Sequence, residues 1–437
     1  MILILIVMRN LHKSESPNQI NKEEWYFAMG SEIETLHDHF NVNHLTFDTL
    51  VRIPHTVNRP NSSLWYKKEL FIERDTIWQI KADDGVQLWV DGQSVKSVQC
   101  NYFYISGKAG KRTIIIRVLN NAVAGGLKQI IGLKSSKLSY IKNLSDKINL
   151  NTYPGLGSRI NNTIIGSKNE NSLRFSAWGD SQGGWDTFHY LTTVLAGRPS
   201  DFTIGLGDLT ATGCDAGDWN QFCKGLMNLP RNLQIFLIPG NHDYDGYYDK
   251  LNAENFMEFQ KASKHDQSYY FFSNNTAAFL VLDPNINFPI SLDKKQLKWA
   301  SEMMHSDNWK NAKWRFVLCH QVAYGCGWPG YNGETFLRNF LNDNAEKNKI
   351  DIVLHGHIHD YERMSKTYGN QKTHFFISGG AGGCLEPKEN DHTYVMEKII
   401  KKHHYLEFEL RETSASVYCR DLKNNIMDSV NIENKNR

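Results

Sequence analysis

The stretch Ile235-Phe-Leu-Ile-Pro-Gly-Asn-His-Asp243 passes from a short apolar run into a polar turn. The same design occurs five times in the last 260-odd residues of the chain. The apolar runs are Leu173 to Ala177, Phe202 to Leu206, Ile235 to Ile238, Arg315 to Leu318 and Ile350 to Leu354. The polar turns are Gly179-Asp180-Ser181-Gln182, Gly207-Asp208-Leu209-Thr210, Gly240-Asn241-His242-Asp243, Val317-Leu318-Cys319-His320 and Gly356-His357-Ile358-His359. Short apolar runs that end at a glycine or a turn predict buried parallel strands, and therefore an α/β fold.

The polar side chains that follow these runs are expected to meet. Side chains just beyond the carboxyl ends of parallel strands converge on one crevice, where open α/β sheets bind ligands. Two Asp, one Asn, one Gln and four His would converge here. Oxygen and imidazole donors in this mixture are the ligands that two close divalent metal ions need.

The order D-x-Q, G-D-L-T, G-N-H-D, x-H, G-H-x-H resembles the calcineurin-like metallophosphoesterase superfamily, and its surroundings resemble the purple acid phosphatase branch. Matching blocks are Pro239 to Tyr244, Gly356 to Arg363, the hairpin from Ser268 to Asp283 and the glycine turn Ser378 to Gly383. The resemblance covers about residues 171–432. It implies a four-layer αββα sandwich of two sheets between helices.

The resemblance also implies a role for each residue. Asp208 would bridge two divalent metal ions (Mn, Fe or Zn), which sit ~3.5–4 Å apart in two-metal sites. Asp180, Gln182 and His359 would hold the first ion, and Asn241, His320 and His357 the second. The ions would activate a shared water or hydroxide to attack a small phosphate ester. Asn241 and His242 would contact the substrate, and His242 would protonate the leaving oxygen.

Two positions depart from the branch pattern. Ala211 stands where purple acid phosphatases carry a tyrosine, so an iron–phenolate colour is not expected. Gln182 stands where most members carry a histidine, and an amide oxygen is a weaker donor than imidazole. Ala211-Thr212 also replaces the Asp-Arg pair of the protein serine/threonine phosphatases.

Each motif taken singly is also typical of a plain turn or helix cap. All five in family order favour the metal site. Phosphomonoester hydrolysis is the predicted function, and phosphodiester hydrolysis is the first alternative. The second alternative is a carbohydrate-binding protein with a vestigial phosphoesterase fold.

The other histidines are not expected to take part in the site. His189 is expected on the helix after the first motif, and His37, His403 and His404 at the surface.

Residues 22–135 follow a different pattern. Strand-like blocks such as Trp65 to Ile72, Thr76 to Ile80 and Thr113 to Leu119 lie between Gly and Asn turns, which predicts an all-β antiparallel sandwich. The blocks resemble galactose-binding-like jelly rolls, which implies either carbohydrate binding or a structural brace. Residues 136–170 are rich in Ser, Asn and Lys and predict a linker before the phosphoesterase domain at 171–437.

Composition bounds the remaining possibilities. A chain of 437 residues suits two domains, and a formal charge of +2 gives no electrostatic case for nucleic acid binding. No apolar run reaches eighteen residues, so no transmembrane segment is predicted. Residues 1–21 are predicted to be a leader or a disordered segment. Their apolar run, Met1 to Met8, is interpreted as part of the export signal of a secreted or extracytoplasmic protein, with a plain strand as the alternative. Among seven cysteines, the spacing allows a Cys214–Cys223 disulfide.

Overall fold

The computed structural model describes residues 21, 23–30, 45–107, 109–120, 124–142, 147–166, 172–244, 253–288 and 290–434. They fall into two compact units, one drawn from Met1–Asp146 and the other from Lys147–Tyr244 and Ala253–Arg437. The proposed leader, except for its last residue, and His37 lie outside the described residues. The domain boundaries predicted at residues 21, 135 and 170 stay predictions. Within the described part, no helix is long and apolar enough to cross a membrane.

The first unit is built from antiparallel strands. They are β1 (Trp25–Met29), β2 (Thr49–Val51), β3 (His55–Asn58), β4 (Ser62–Ile72), β5 (Thr76–Ala82), β6 (Val86–Val90), β7 (Gln93–Val95), β8 (Ser97–Gln99), β9 (Tyr102–Ile105), β10 (Gly110–Asn120) and β11 (Ala124–Lys134), followed by helix α1 (Leu138–Lys142). One sheet has the order β2-β1-β4-β10-β6-β7 and the other β3-β11-β5-β9-β8.

The two sheets of the first unit face each other. Phe27 of β1 lies edge-on to His55 of β3, with ring centroids 4.7 Å apart, and the Tyr66 hydroxyl accepts the Leu127 backbone N–H at 3.4 Å. β10 carries the β-branched run Ile114 to Ile116, which is buried and suits a pleated surface. The predicted antiparallel β domain is therefore confirmed. Whether this unit binds sugar is not tested by its fold.

The second unit alternates strands with helices. Its strands are β12 (Leu173–Trp178), β13 (Phe202–Gly205), β14 (Gln234–Leu237), β15 (Tyr270–Ser273), β16 (Ala277–Val281), β17 (Trp314–Leu318), β18 (Ile352–His355), β19 (Tyr361–Tyr368), β20 (Gln371–Ser378), β21 (Lys398–Ile400), β22 (His404–Leu410), β23 (Ser414–Asp421) and β24 (Ile426–Glu433). Its helices are α2 (Trp185–Ala196), α3 (Ala216–Leu226), α4 (Glu254–Ala262), α5 (Lys294–His305), α6 (Asp307–Asn311) and α7 (Thr335–Asn344).

All five motif strands are present, and they are divided between two sheets. β12, β13 and β14 are parallel neighbours in a six-stranded sheet of order β14-β13-β12-β22-β23-β24. β17 and β18 are parallel neighbours in a seven-stranded sheet of order β15-β16-β17-β18-β20-β19-β21. The sequence blocks Tyr405 to Leu410, Ser416 to Cys419 and Asp428 to Ile432 predict edge strands that close the second sheet. In fact β22 lies inside the six-stranded sheet, because its alternating residues pair with β12 on one side and β23 on the other.

A layer of phenylalanines joins the two sheets. Phe175 stacks on Phe202 and Phe408 of its own sheet, with centroids 4.8 and 4.6 Å apart. It meets Phe279 and Phe316 of the other sheet edge-on, at 5.6 and 5.7 Å. Burying each such ring stabilises the fold by about 1.5–3 kcal/mol. The sheets therefore pack face to face around one core.

Helices cover the outer faces of this sandwich. Phe188 of α2 and Phe222 of α3 pack against Trp178 at the end of β12. Residues of α5, α6 and α7 form a second cluster with the outer side of the seven-stranded sheet. The predicted four-layer αββα sandwich is confirmed.

Cys223 in α3 is a free thiol buried in this helical layer, so the prediction of a Cys214–Cys223 disulfide is wrong.

Candidate dinuclear metal centre

The five polar turns meet at one edge of the sandwich. Hydrogen bonds lock the loops together: the backbone N–H of Asp180 donates to Gly207 O at 3.0 Å, and that of Gln182 to Asp208 O at 3.2 Å. The His357 backbone N–H donates to both carboxylate oxygens of Asp180, at 3.1 and 3.0 Å. The last of these bonds connects the six-stranded sheet with the seven-stranded one. The predicted convergence of the site residues is therefore found across two sheets.

Three of these residues have a left-handed backbone. The φ angles are 62° at Asp180, 48° at Asp208 and 72° at His357. Such a conformation costs a non-glycine residue about 1–3 kcal/mol and concentrates at functional sites. Here the three residues lie in the turns that follow β12, β13 and β18. The fold carries this cost at three candidate ligands.

Asp208, His320 and His357 form a group of donors that could hold the second ion, with ligand atoms all within 4.8 Å of one another. His320 Nε2 lies 3.2 Å from Asp208 Oδ2 and 3.2 Å from His357 Nδ1. His320 Nδ1 donates to the Leu206 carbonyl at 2.7 Å, so its Nε2 faces the group. All three side chains are buried.

Asp180, Asp208 and His359 form the group that could hold the first ion, again with ligand atoms within 4.8 Å of one another. His359 Nε2 lies 3.4 Å from Asp180 Oδ1 and 2.9 Å from the Gln182 side-chain amide. His359 Nδ1 donates to the Cys384 carbonyl at 2.6 Å, which again turns Nε2 inward. Asp208 belongs to both groups, which is the arrangement that a bridging carboxylate requires.

Asn241, His242 and Asp243 form a short 3-10 turn beside Asp208. The buried Asp243 carboxylate accepts the N–H groups of Gly240, Leu209 and Thr210, at 2.8, 3.2 and 3.0 Å. The His242 N–H donates to Asp208 Oδ1 at 2.9 Å, and His242 Nδ1 lies 3.1 Å from the Ala211 carbonyl. Asn241 is buried in the same turn.

Every predicted site residue thus lies at this edge. Asp243 was not predicted to act, although it closes Gly-Asn-His-Asp, because only the folded turn shows which N–H groups it binds.

The electrostatics of the cluster fit a cation. Burial lowers the pKa of His320, but Asp208 and Asp180 outweigh burial and raise that pKa to about 9. Burial likewise lowers the pKa of His359, while its contact with Asp180 raises the pKa to about 10. Protons are therefore strongly attracted to the points where inward-facing nitrogens meet carboxylates. Metal ions would take the place of those protons, so the donor set fits two ions.

Glu386 was also missed by sequence reasoning, because it follows His359 by 27 residues and belongs to no motif. Its Oε1 accepts the His359 backbone N–H at 2.7 Å. Burial raises the pKa of Glu386 to about 7.

Among the other histidines, His189 lies on α2 as predicted. His404 is buried and not at the surface, because it begins the internal strand β22.

Comparison with known proteins supports the same family. Residues 173–361 match the family model described as calcineurin-like phosphoesterase. Purple acid phosphatase 21 of Arabidopsis thaliana is 25% identical over 228 residues, covering 49% of this chain and 51% of its own length. The probable inactive purple acid phosphatase 27 of Arabidopsis thaliana is 24% identical over 326 residues, covering 64% and 52%. A nucleotide pyrophosphatase/phosphodiesterase of Hordeum vulgare is 24% identical over 255 residues, covering 49% and 69%.

A structure of a purple acid phosphatase from yellow lupin (Lupinus luteus) seeds has a similar fold. Its TM-score is 0.50 at 12% identity, over 94% of this chain and 74% of that chain. At this identity the likeness concerns the fold alone. The chain spans about half the length of the first curated relatives it matches.

Proposed function

Because the chain carries a calcineurin-like phosphoesterase domain, we propose that it hydrolyses phosphate monoesters at a centre of two divalent metal ions. The ligands would be Asp180, Gln182, Asp208, Asn241, His320, His357 and His359. The observation that carries this proposal is the position of Asp208, whose carboxylate is shared by both groups of donors.

The chain's own residues would divide the work. Two bound ions supply Lewis acidity, which activates a water and neutralises charge that develops on the phosphoryl group. Asp208, which belongs to both donor groups, would hold both ions. The Ala211 carbonyl accepts Nδ1–H of His242, so His242 Nε2 is the nitrogen that gains or loses a proton. This leaves His242 suited to protonate the leaving oxygen.

Gln182 determines how the first ion is held. Gln182 Nε2 lies 2.9 Å from His359 Nε2, and rotating the side-chain amide by 180° places Gln182 Oε1 at the same position. In that orientation a neutral oxygen joins Asp180, Asp208 and His359. Since Ala211 offers no phenolate, the first ion would have hard oxygen donors and one imidazole, which suits Mn or Fe as well as Zn.

Phosphodiester hydrolysis is the second candidate. The observation that favours it is the Hordeum vulgare relative named as a nucleotide pyrophosphatase/phosphodiesterase, of which the matched region covers 69%. A vestigial domain is less well supported, although one relative is named probable inactive. The donors assemble in two complete groups, which a protein without metal chemistry has no need to keep.

Two further proposals concern the setting of this activity. An extracytoplasmic location rests on the apolar run Met1 to Met8, and fusion of residues 1–30 to a reporter enzyme active only outside the cytoplasm would test it. Carbohydrate binding by the first unit rests on sequence resemblance. Retention of the protein on an immobilised glycan panel would test it.

The central test is hydrolysis of an aryl phosphate by Mn²⁺-loaded protein. Asp208→Ala and His357→Ala should each abolish turnover, because each removes a donor from the shared centre. Asp307→Ala and His305→Ala alter exposed residues of the outer helices and serve as matched controls. Near wild-type turnover in either ligand variant, with metal still bound, would show that the centre is assigned wrongly. Comparing an aryl monoester with a bis-aryl diester separates the two candidate activities.

A further inference from the structure

We infer that Glu386 is a positioning residue for the first metal site, defined as Asp180, Gln182, Asp208 and His359, and that its charge strengthens metal binding there. The inference rests on the metal centre of the proposed function. It adds a residue outside the five motifs and outside the donor groups. Glu386 acts in two ways, through the backbone of His359 and through its own negative charge.

The segment from Cys384 to Glu386 surrounds His359. Glu386 Oε1 accepts the His359 backbone N–H at 2.7 Å, and the Glu386 N–H donates to the His359 carbonyl at 3.4 Å. The Cys384 carbonyl accepts His359 Nδ1–H at 2.6 Å. His359 is thus held at its N–H, its carbonyl and its ring. These contacts direct His359 Nε2 to Asp180 Oδ1, 3.4 Å away.

The second carboxylate oxygen of Glu386 makes no comparable contact among the described residues. Glu386 is 9% exposed, and its Oε2 has no hydrogen-bond partner in the described part of the chain. Burying a carboxylate without full hydrogen bonding costs several kcal/mol unless a positive charge lies near. Glu386 Oε1 already serves His359. The unpartnered oxygen leaves this carboxylate to be stabilised by nearby positive charge, which an ion at the first site would add to that of Lys401.

Neighbouring charges make the need for a cation greater. Asp360 is fully buried, and neither of its carboxylate oxygens has a hydrogen-bond partner among the described residues. Glu362 is buried as well, and its oxygens accept the N–H groups of Cys326 and Gly327, at 2.8 and 2.7 Å. The ammonium of Lys401 donates to the carbonyls of Gly327, Pro387 and Glu389. Burial raises the pKa of Asp360, Glu362 and Glu386, and the charge of Lys401 only partly offsets this effect. Lys401 gives its hydrogen bonds to carbonyls, so this one cation faces three carboxylates behind His359.

The Glu386 charge should therefore have opposite effects in the two forms of the protein. It should destabilise the metal-free protein and stabilise the metal-loaded protein. Without metal, Glu386 adds repulsion to Asp360, Glu362 and Asp180. With a divalent ion at the first site, the same charge attracts it. Glu386→Gln removes the charge and keeps an oxygen that can accept the His359 N–H. A purely structural role for Glu386 would leave metal affinity unchanged in this variant.

The test measures Mn²⁺ binding by titration calorimetry and the melting temperature with and without Mn²⁺. Glu386→Gln should bind Mn²⁺ about 10–100-fold more weakly, the usual effect of mutating a group that contacts a metal ligand from outside the metal's ligand shell. Its metal-free form should melt higher than wild type, and Mn²⁺ should raise its melting temperature less. Glu386→Asp keeps the charge and should recover part of the affinity.

Glu389→Gln is the matched control, because it removes an equal charge from an exposed side chain three residues away. It should bind Mn²⁺ within about twofold of wild type. Equal Mn²⁺ affinity in wild type and Glu386→Gln would overturn the inference and leave the proposed function standing. Wild-type protein that binds no Mn²⁺ would overturn both.

Discussion

Gly240 is the position at which one added methyl group should disable the centre. Its φ of −99° is allowed for alanine, so Gly240→Ala causes no backbone strain of its own. A Cβ at this position would lie 2.1 Å from Asp208 N and 2.1 Å from Asp208 Oδ1. Real Cβ contacts do not come closer than 3.0 Å, so Asp208 must retreat by at least 0.9 Å.

The size of the effect follows from that displacement. Asp208 cannot move alone, because its Oδ1 also accepts the His242 N–H at 2.9 Å. Bonds from zinc to carboxylate oxygens are about 2.0–2.2 Å long, so a shift of about 1 Å would break the contact that Asp208 is proposed to make with both ions. A misplacement of this size costs about 10²-fold in rate. We expect Gly240→Ala to lose at least that factor in turnover of an aryl phosphate, with a fall in bound Mn²⁺.

Gly197→Ala provides the matched control. Gly197 follows α2 with a φ of −85°, and the nearest atom to an added Cβ is the Val194 carbonyl oxygen at an ordinary 3.6 Å. This variant should keep wild-type turnover and metal content, measured on the same substrate and by elemental analysis. If Gly240→Ala keeps turnover within about threefold of wild type with two ions bound, Asp208 does not bridge them in the way described.

Further outcomes follow from the same centre. His242→Ala should lower turnover by about 10²–10⁴-fold while the metal content stays unchanged. The loss should be smaller on esters with good leaving groups. Equal losses on good and poor leaving groups would exclude the acid role of His242. Protein as isolated should show no iron–phenolate absorption in the visible, because Ala211 replaces the tyrosine, and apo-protein should regain activity with Mn²⁺. Gln182→His should tighten the first site, because imidazole is a stronger donor than an amide oxygen; unchanged metal affinity in this variant would contradict the role given to Gln182.

The parts of the fold that sequence could predict share one property, which is that they are local. An apolar run and the polar turn after it are contiguous, so the strand before each motif and the side chain at its end could be predicted together. The Asp180 and Asp208 turns are examples, since each follows its strand within three residues. The position of the last three strands is not local. Leu173 of β12 pairs with Leu410 of β22, and nothing in either segment specifies the other.

The same distinction explains the residues that were missed. Glu386 belongs to no strand end, and its relation to His359 appears only when the chain returns to the site after β19 and β20. His404 was expected at the surface because a polar pair, His403-His404, is usually exposed. Its burial follows from a strand that sits between two others, which a polar pair does not reveal. Asp243 was visible in its motif, but its three N–H partners come from two separate loops.

The candidate ligands are divided between two sheets, so the metal centre depends on how the sheets pack as well as on the motifs themselves. Asp180, Asp208 and Asn241 follow strands of the six-stranded sheet, whereas His320, His357 and His359 follow strands of the seven-stranded one. Each candidate donor group therefore takes members from both sheets. An ion bound by either group would tie the sheets together at the edge where the phenylalanine layer ends. Its affinity then depends on how the sheets pack, and this is why the sequence could identify the donors but not the residues, such as Glu386, that hold them in place.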